Sequence, residues 1–127
     1  MESRKHVTEL HTDRVEWLKK LMFYKDDVAS HLNRLAEVVQ NNNKVEVTSM
    51  AEHFQNLFIR QLEVNDELRH EINEESRLFA VTEAQNPVAT DRKLATDHTV
   101  LRDKVETYEK LFNELRLEFN TFVSKTL

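Results

Sequence analysis

The chain has no glycine and no cysteine, and its only proline is Pro87. Tight hairpins and phosphate-cradling loops rely on glycine wherever φ must be positive, so β-meanders and P-loops are disfavoured together. Without cysteine there is no disulfide frame, no thiolate metal site and no thiol nucleophile, which suits a reducing, cytoplasmic setting. Long hydrophobic runs are missing as well. No stretch approaches the roughly 20 apolar residues of a membrane span, and the opening MESRKHVTEL is charged from its second residue, so neither a secretory signal nor an anchor is expected there. Positive charge is in deficit, with a formal net charge of −5 and a pI near 5.7. That balance argues against nucleic acid or an anionic membrane as partner.

What remains is helix-forming sequence. A chain of 127 residues, 39% hydrophobic and 32% charged, suits one packed domain spanning 1–127. Two polar breaks interrupt it: QNNNK (Gln40 to Lys44) and EAQNPVATD (Glu83 to Asp91). They divide it into three helices at about 3–40, 44–82 and 87–126. Asn43 followed by Glu46 suits the N-terminus of the second helix, with Ser49 and Glu52 as a later alternative, and Asn86 before Pro87 suits that of the third. At 1.5 Å per residue each helix is on the order of 50 to 60 Å long.

Each helix carries one apolar face. In the third, Leu94, His98, Leu101, Val105, Tyr108, Phe112, Leu115, Phe119, Phe122 and Thr126 alternate in steps of four and three, the rhythm of a heptad seam. The first repeats it through Leu10, Arg14, Trp17, Leu21, Tyr24, Val28, His31, Leu35 and Val38, broadened by Leu18, Leu32 and Val39. The second has Val47, Met50, Phe54, Leu57, Phe58, Gln61, Leu62, Asn65, Leu68, Ile72 and Phe79 on one face. Short connections make successive helices antiparallel neighbours, so the expected fold is all-α: an up-down-up antiparallel three-helix bundle with coiled-coil-like packing. A hairpin whose third helix is exchanged between subunits is the alternative.

Counting heights outward from the two turns sorts the seams' polar members into layers. Tyr24, Gln61 and Tyr108 fall at one height, with Asn65 one turn away; Arg14, Glu71, Glu75 and His98 fall at another. His98 is therefore expected to face Arg14 and a carboxylate of the second helix in a register-setting polar layer. Six histidines among many carboxylates also invite a metal reading, because di-iron bundles use Glu-x-x-His pairs. Only one such pair occurs, Glu67 to His70, no two histidines stand four apart, and His31 and His98 count to opposite ends. No metal or cofactor is expected on these grounds. Glu71, Glu75 and His98 also suggest a general base, but the same trio beside Arg14 is more simply an ion-paired layer without a walled cleft, and catalysis is not expected.

The stretch EHFQNLFIRQLEVNDELRHEI (Glu52 to Ile72) resembles a helix in small bacterial helical-bundle proteins that carry no assigned activity. The resemblance covers about a sixth of the chain and implies a bacterial, cytoplasmic helical protein, with no functional residues to carry over. Off the seams, Val15, Met22, Phe23, Ile59 and Leu117 point outward on a helical wheel, and Met22, Phe23 and Ile59 share a height at which they could join into a patch. The expected function is non-enzymatic: an interaction or scaffolding module, self-associating as a homodimer or engaging a helical protein partner. A metal-binding bundle with a sensing or redox role is the alternative.

Overall fold

Three helices run almost end to end: α1 (Glu2–Asn41), α2 (Val45–Gln85) and α3 (Pro87–Thr126). In this computed structural model the backbone is described for residues 2–85 and 87–126, and the side chains for residues 8–81 and 94–126. Side-chain contacts show the topology. Arg14 meets Glu75 while Leu21 meets Asn65, and Asn65 meets Tyr108 while Glu75 meets His98, so α2 runs antiparallel to both neighbours. Asp13 with Arg102 and Lys20 with Glu109 show α1 and α3 to be parallel. The fold is an all-α, up-down-up three-helix bundle.

The first connection is the three residues Asn42–Lys44, made without positive φ at any described residue. The expected Asn43 cap is displaced, since α2 begins at Val45 and the first turn closes on the Lys44 carbonyl, which accepts from the Thr48 backbone N–H at 3.1 Å. Asn42 has the larger role. Its side-chain amide donates to the Val38 carbonyl at 2.9 Å and the Thr126 carbonyl at 3.3 Å, satisfying carbonyls in the last turns of both α1 and α3. The Asn86 cap expected before Pro87 lies outside the described residues.

The periodic seams bury as the heptad rhythm dictates, with two exceptions: Met50 and Val39 are exposed, each turned about 100° from a buried neighbour, Ala51 and Val38. Leu21, Val28, Phe58, Ile72 and Phe112 are fully buried. Near the first turn the core is aromatic, with Phe58 edge-on to Phe119 at 5.1 Å and His31 stacked on Phe58 at 5.1 Å. Toward the other end Leu10, Phe79 and Leu94 form a small apolar cluster of their own. Between this cluster and the main core lie Arg14, Glu75 and His98, so a buried charged layer divides the bundle's interior. α2 packs closely on both neighbours, whereas α1 and α3 approach each other less closely. Large polar and aromatic side chains fill that wider gap.

Candidate functional site

His98, 2% exposed, stands at the centre of the charged layer. Its Nδ1 lies 2.9 Å from Glu75 Oε2 on α2 and its Nε2 lies 2.9 Å from Asp13 Oδ2 on α1. A neutral imidazole has one N–H and would leave its other nitrogen lone pair facing a carboxylate. Only the imidazolium donates to both. Burial alone would disfavour that charge, but the hydrogen bonds and negative charges of Glu75 and Asp13 outweigh it and raise the pKa of His98 above the ordinary value. Asp13 shifts the opposite way: against some desolvation, hydrogen bonds from His98 and Arg102 lower its pKa.

Arg14 and Arg102 complete the layer. Arg14 Nη1 donates to Glu75 Oε2 at 3.1 Å and its guanidinium lies 5.6 Å from the centre of the Phe79 ring. Arg102 donates to Asp13 Oδ2 at 2.7 Å. Trp17 stacks on the imidazole at 4.6 Å and closes the layer from the main-core side. Two buried atoms, Arg14 Nε and Glu75 Oε1, have no hydrogen-bond partner. Glu71 is a correction. It is exposed and pairs with Lys104 at 3.1 Å, because it precedes the buried Ile72 and so points about 100° around the helix from it, off the seam and one turn from Glu75.

Asp13 and Arg102 were not among the candidates, although a signal for them exists. Asp13, Lys20 and Asp27 repeat every seven residues on α1, and Arg102, Glu109 and Arg116 do so on α3 with opposite signs. They meet in order, at 2.7, 3.5 and 3.7 Å. A ladder of alternating signs flanking two parallel seams is the sequence trace of this interface.

The second polar layer centres on Asn65, which is fully buried. Its amide donates to the Leu21 carbonyl at 2.7 Å and to the Tyr108 hydroxyl at 3.1 Å, while its Oδ1 accepts from Arg69 Nε at 2.9 Å. Tyr24 lies edge-on to Tyr108 at 5.8 Å but donates its hydroxyl to Glu109 at 2.9 Å. Burial and that carboxylate push the Tyr24 pKa up to about 12, and burial raises Tyr108 as well. Gln61, expected beside the two tyrosines, is half-buried with its Oε1 unpartnered, so it does not join the layer.

The outward residues separate. Ile59 lines a groove between α1 and α2 of about 630 Å³, with Leu32, Ala36 and Val39. Phe23, 60% exposed, sits edge-on against Tyr24, on the side of α1 that faces α3. Met22 and Phe23 are consecutive and so point about 100° apart around the helix, which is why a shared height does not make the three a single patch. Between α2 and α3 lie two adjoining hollows of about 480 and 340 Å³ that share Glu71, Val100 and Lys104.

Among the described residues no group of three or more histidine, cysteine or acidic side chains is placed to hold a metal. His31 lies 3.2 Å from Asp27, without hydrogen-bond alignment, and stacks on Phe58. His70 lines a hollow between α2 and α3. No helix among the described residues is long and apolar enough to cross a membrane. Arg14, Glu75 and His98 are buried and Asp13 and Arg102 close the layer at the surface, so its ion pairs join all three helices at one height. No protein-family model, curated protein or solved structure matches this chain.

Proposed function

We propose that the chain is a non-enzymatic, cytoplasmic binding module with coiled-coil-like packing, acting through helical surfaces and self-associating as a twofold dimer. One contrast carries this reading. The charged groups inside the bundle are consumed in pairing its own helices, while large apolar side chains such as Val100, 50% exposed, and Leu111, 48% exposed, stay on the flanks. The α1–α2 groove around Ile59 suits the second copy, because Glu52 is the one charged side chain among its lining residues and a twofold contact there brings few like charges together.

Light scattering across micromolar concentrations tests self-association. The expected result is a species of twice 15.1 kDa that dissociates on dilution and is weakened by Ile59→Lys more than by Phe23→Glu. A monomer at every concentration removes the dimer, and a dimer indifferent to both substitutions moves its interface elsewhere.

A further inference from the structure

The two hollows between α2 and α3 form one apolar trough with an acidic rim. Val64, Leu68, Val100, Leu101 and Leu111 supply apolar lining. Around them stand Glu67, Glu71, Glu74, Asp97 and Asp103, against the single ammonium of Lys104. Lys104 is already engaged by Glu71 at 3.1 Å, and Glu74 by Arg77. From Gln61 to Leu78 along α2 the trough extends about 26 Å at 1.5 Å per residue, the length of a helix of about 17 residues.

We infer that this trough is the docking site for a basic amphipathic helix of a partner protein, a surface that rests on the binding-module reading above and specifies its partner. Apolar residues recurring every three or four positions would enter between α2 and α3, and lysine or arginine on either side would meet the rim carboxylates. A second copy of the chain fits poorly, since a twofold contact would set one acidic rim against another. On the α1–α3 side the ladder from Asp13–Arg102 to Asp27–Arg116 pairs acid with base across the helices.

The probe is a designed helical peptide of about 18 residues with leucines at heptad spacing and lysine or arginine flanks, titrated into the isotope-labelled full chain. Its control keeps the leucines and carries glutamate flanks. The basic peptide should saturate, shift amide signals concentrated in residues 61–78 and 97–111, and bind more weakly as salt is raised. Val100→Glu, and Glu67→Lys combined with Asp103→Lys, should each weaken binding about tenfold or more. Leu117→Glu, at an exposed apolar position outside the trough, should change it less than about twofold. Absence of binding, equal binding of the acidic control, or shifts centred on the α1–α2 groove would each overturn the assignment. If the peptide fails while the concentration-dependent dimer persists, the trough alone is wrong; loss of both removes the binding-module reading too.

Discussion

The α1–α3 and α2–α3 flanks share a helix yet are finished in opposite ways. Across the first, parallel flank, three pairs of alternating sign bridge the helices, and Tyr24 adds a hydroxyl to Glu109. Across the second, Lys104–Glu71 is the one surface ion pair from helix to helix among the described residues, and the neighbouring carboxylates line the same hollows as the apolar side chains. The charges of the first flank set register. Sliding α3 by one heptad would place Asp13 against Glu109 and Lys20 against Arg116, like-charge matches at two rungs, and would leave Asp27 against Val123, which a seam of leucines and phenylalanines alone would not penalise. On the second flank the carboxylates around Lys104 outnumber its ammonium, and the proposed docking of a basic helix rests on that excess.

Breaking the buried layer that anchors the first flank should have the largest effect. Arg14→Leu leaves the Glu75 carboxylate with His98 as its remaining partner and should cost about 3 kcal/mol in urea unfolding. Glu71→Gln, on the exposed second flank, should stay within about 0.5 kcal/mol. Equal losses from the two would contradict the separation between layer and surface.

His98→Leu comes next, at about 1 kcal/mol in either direction, because Asp13 keeps Arg102 and Glu75 keeps Arg14. Its diagnostic is pH dependence. The folded pKa of His98 is raised above 6.5, so its contribution is fully present below 6.5 and is lost as pH rises through the folded value. Asp13 is depressed below 3.8, so its contribution is present above 3.8 and lost as pH falls through its folded value. The stability of the native chain relative to His98→Leu should therefore decline as pH increases above 6.5. A difference independent of pH across that range would mean that the imidazole is not charged in the fold.

Tyr24→Phe should cost about 0.5 to 1 kcal/mol by removing the hydroxyl bond to Glu109. Tyr24 and Tyr108 are the only tyrosines, and both are raised above 10.0. Absorbance titration should therefore show less than half of the tyrosine ionised at pH 10 while the helix signal persists. Half-ionisation there would show that the polar layer is open to water. The smallest effect belongs to the ladder's middle rung: Lys20→Glu should cost about 0.5 kcal/mol, with Glu109→Lys in the same chain restoring most of it. An additive double mutant would leave the ladder without a role in register.

How much was legible follows from what each feature depends on. The helices expected at 3–40, 44–82 and 87–126 are found at 2–41, 45–85 and 87–126, because periodicity and polar breaks act within a turn or two of chain. That His98 and Arg14 turn inward and both reach a carboxylate of α2 followed from their seam positions, since an apolar face carries its polar members inward with it. Which carboxylate it meets did not follow. Counting from the turns has an error of about one turn, and Glu71 and Glu75 differ by about that amount. Asp13 was passed over for another reason: it lies beside the seam, and its role appears only when its sevenfold repeat is set against that of Arg102.

The sequence by itself determined three long helices, their alternating directions and the stripe each one buries, because these depend on spacing along one chain and on short connections. The tertiary structure alone decided that His98 bridges Glu75 and Asp13, that Asn65 donates to the Leu21 carbonyl, and that the α1–α3 flank carries a three-rung ladder while the α2–α3 flank carries Lys104–Glu71 beside its hollows. The physical reason is tolerance. A hydrogen bond selects its partner within a few tenths of an ångström and a limited angle, whereas residue counting places a side chain only to about one 5.4 Å turn. Partner choice is therefore settled where the three helices meet, by their relative height and rotation.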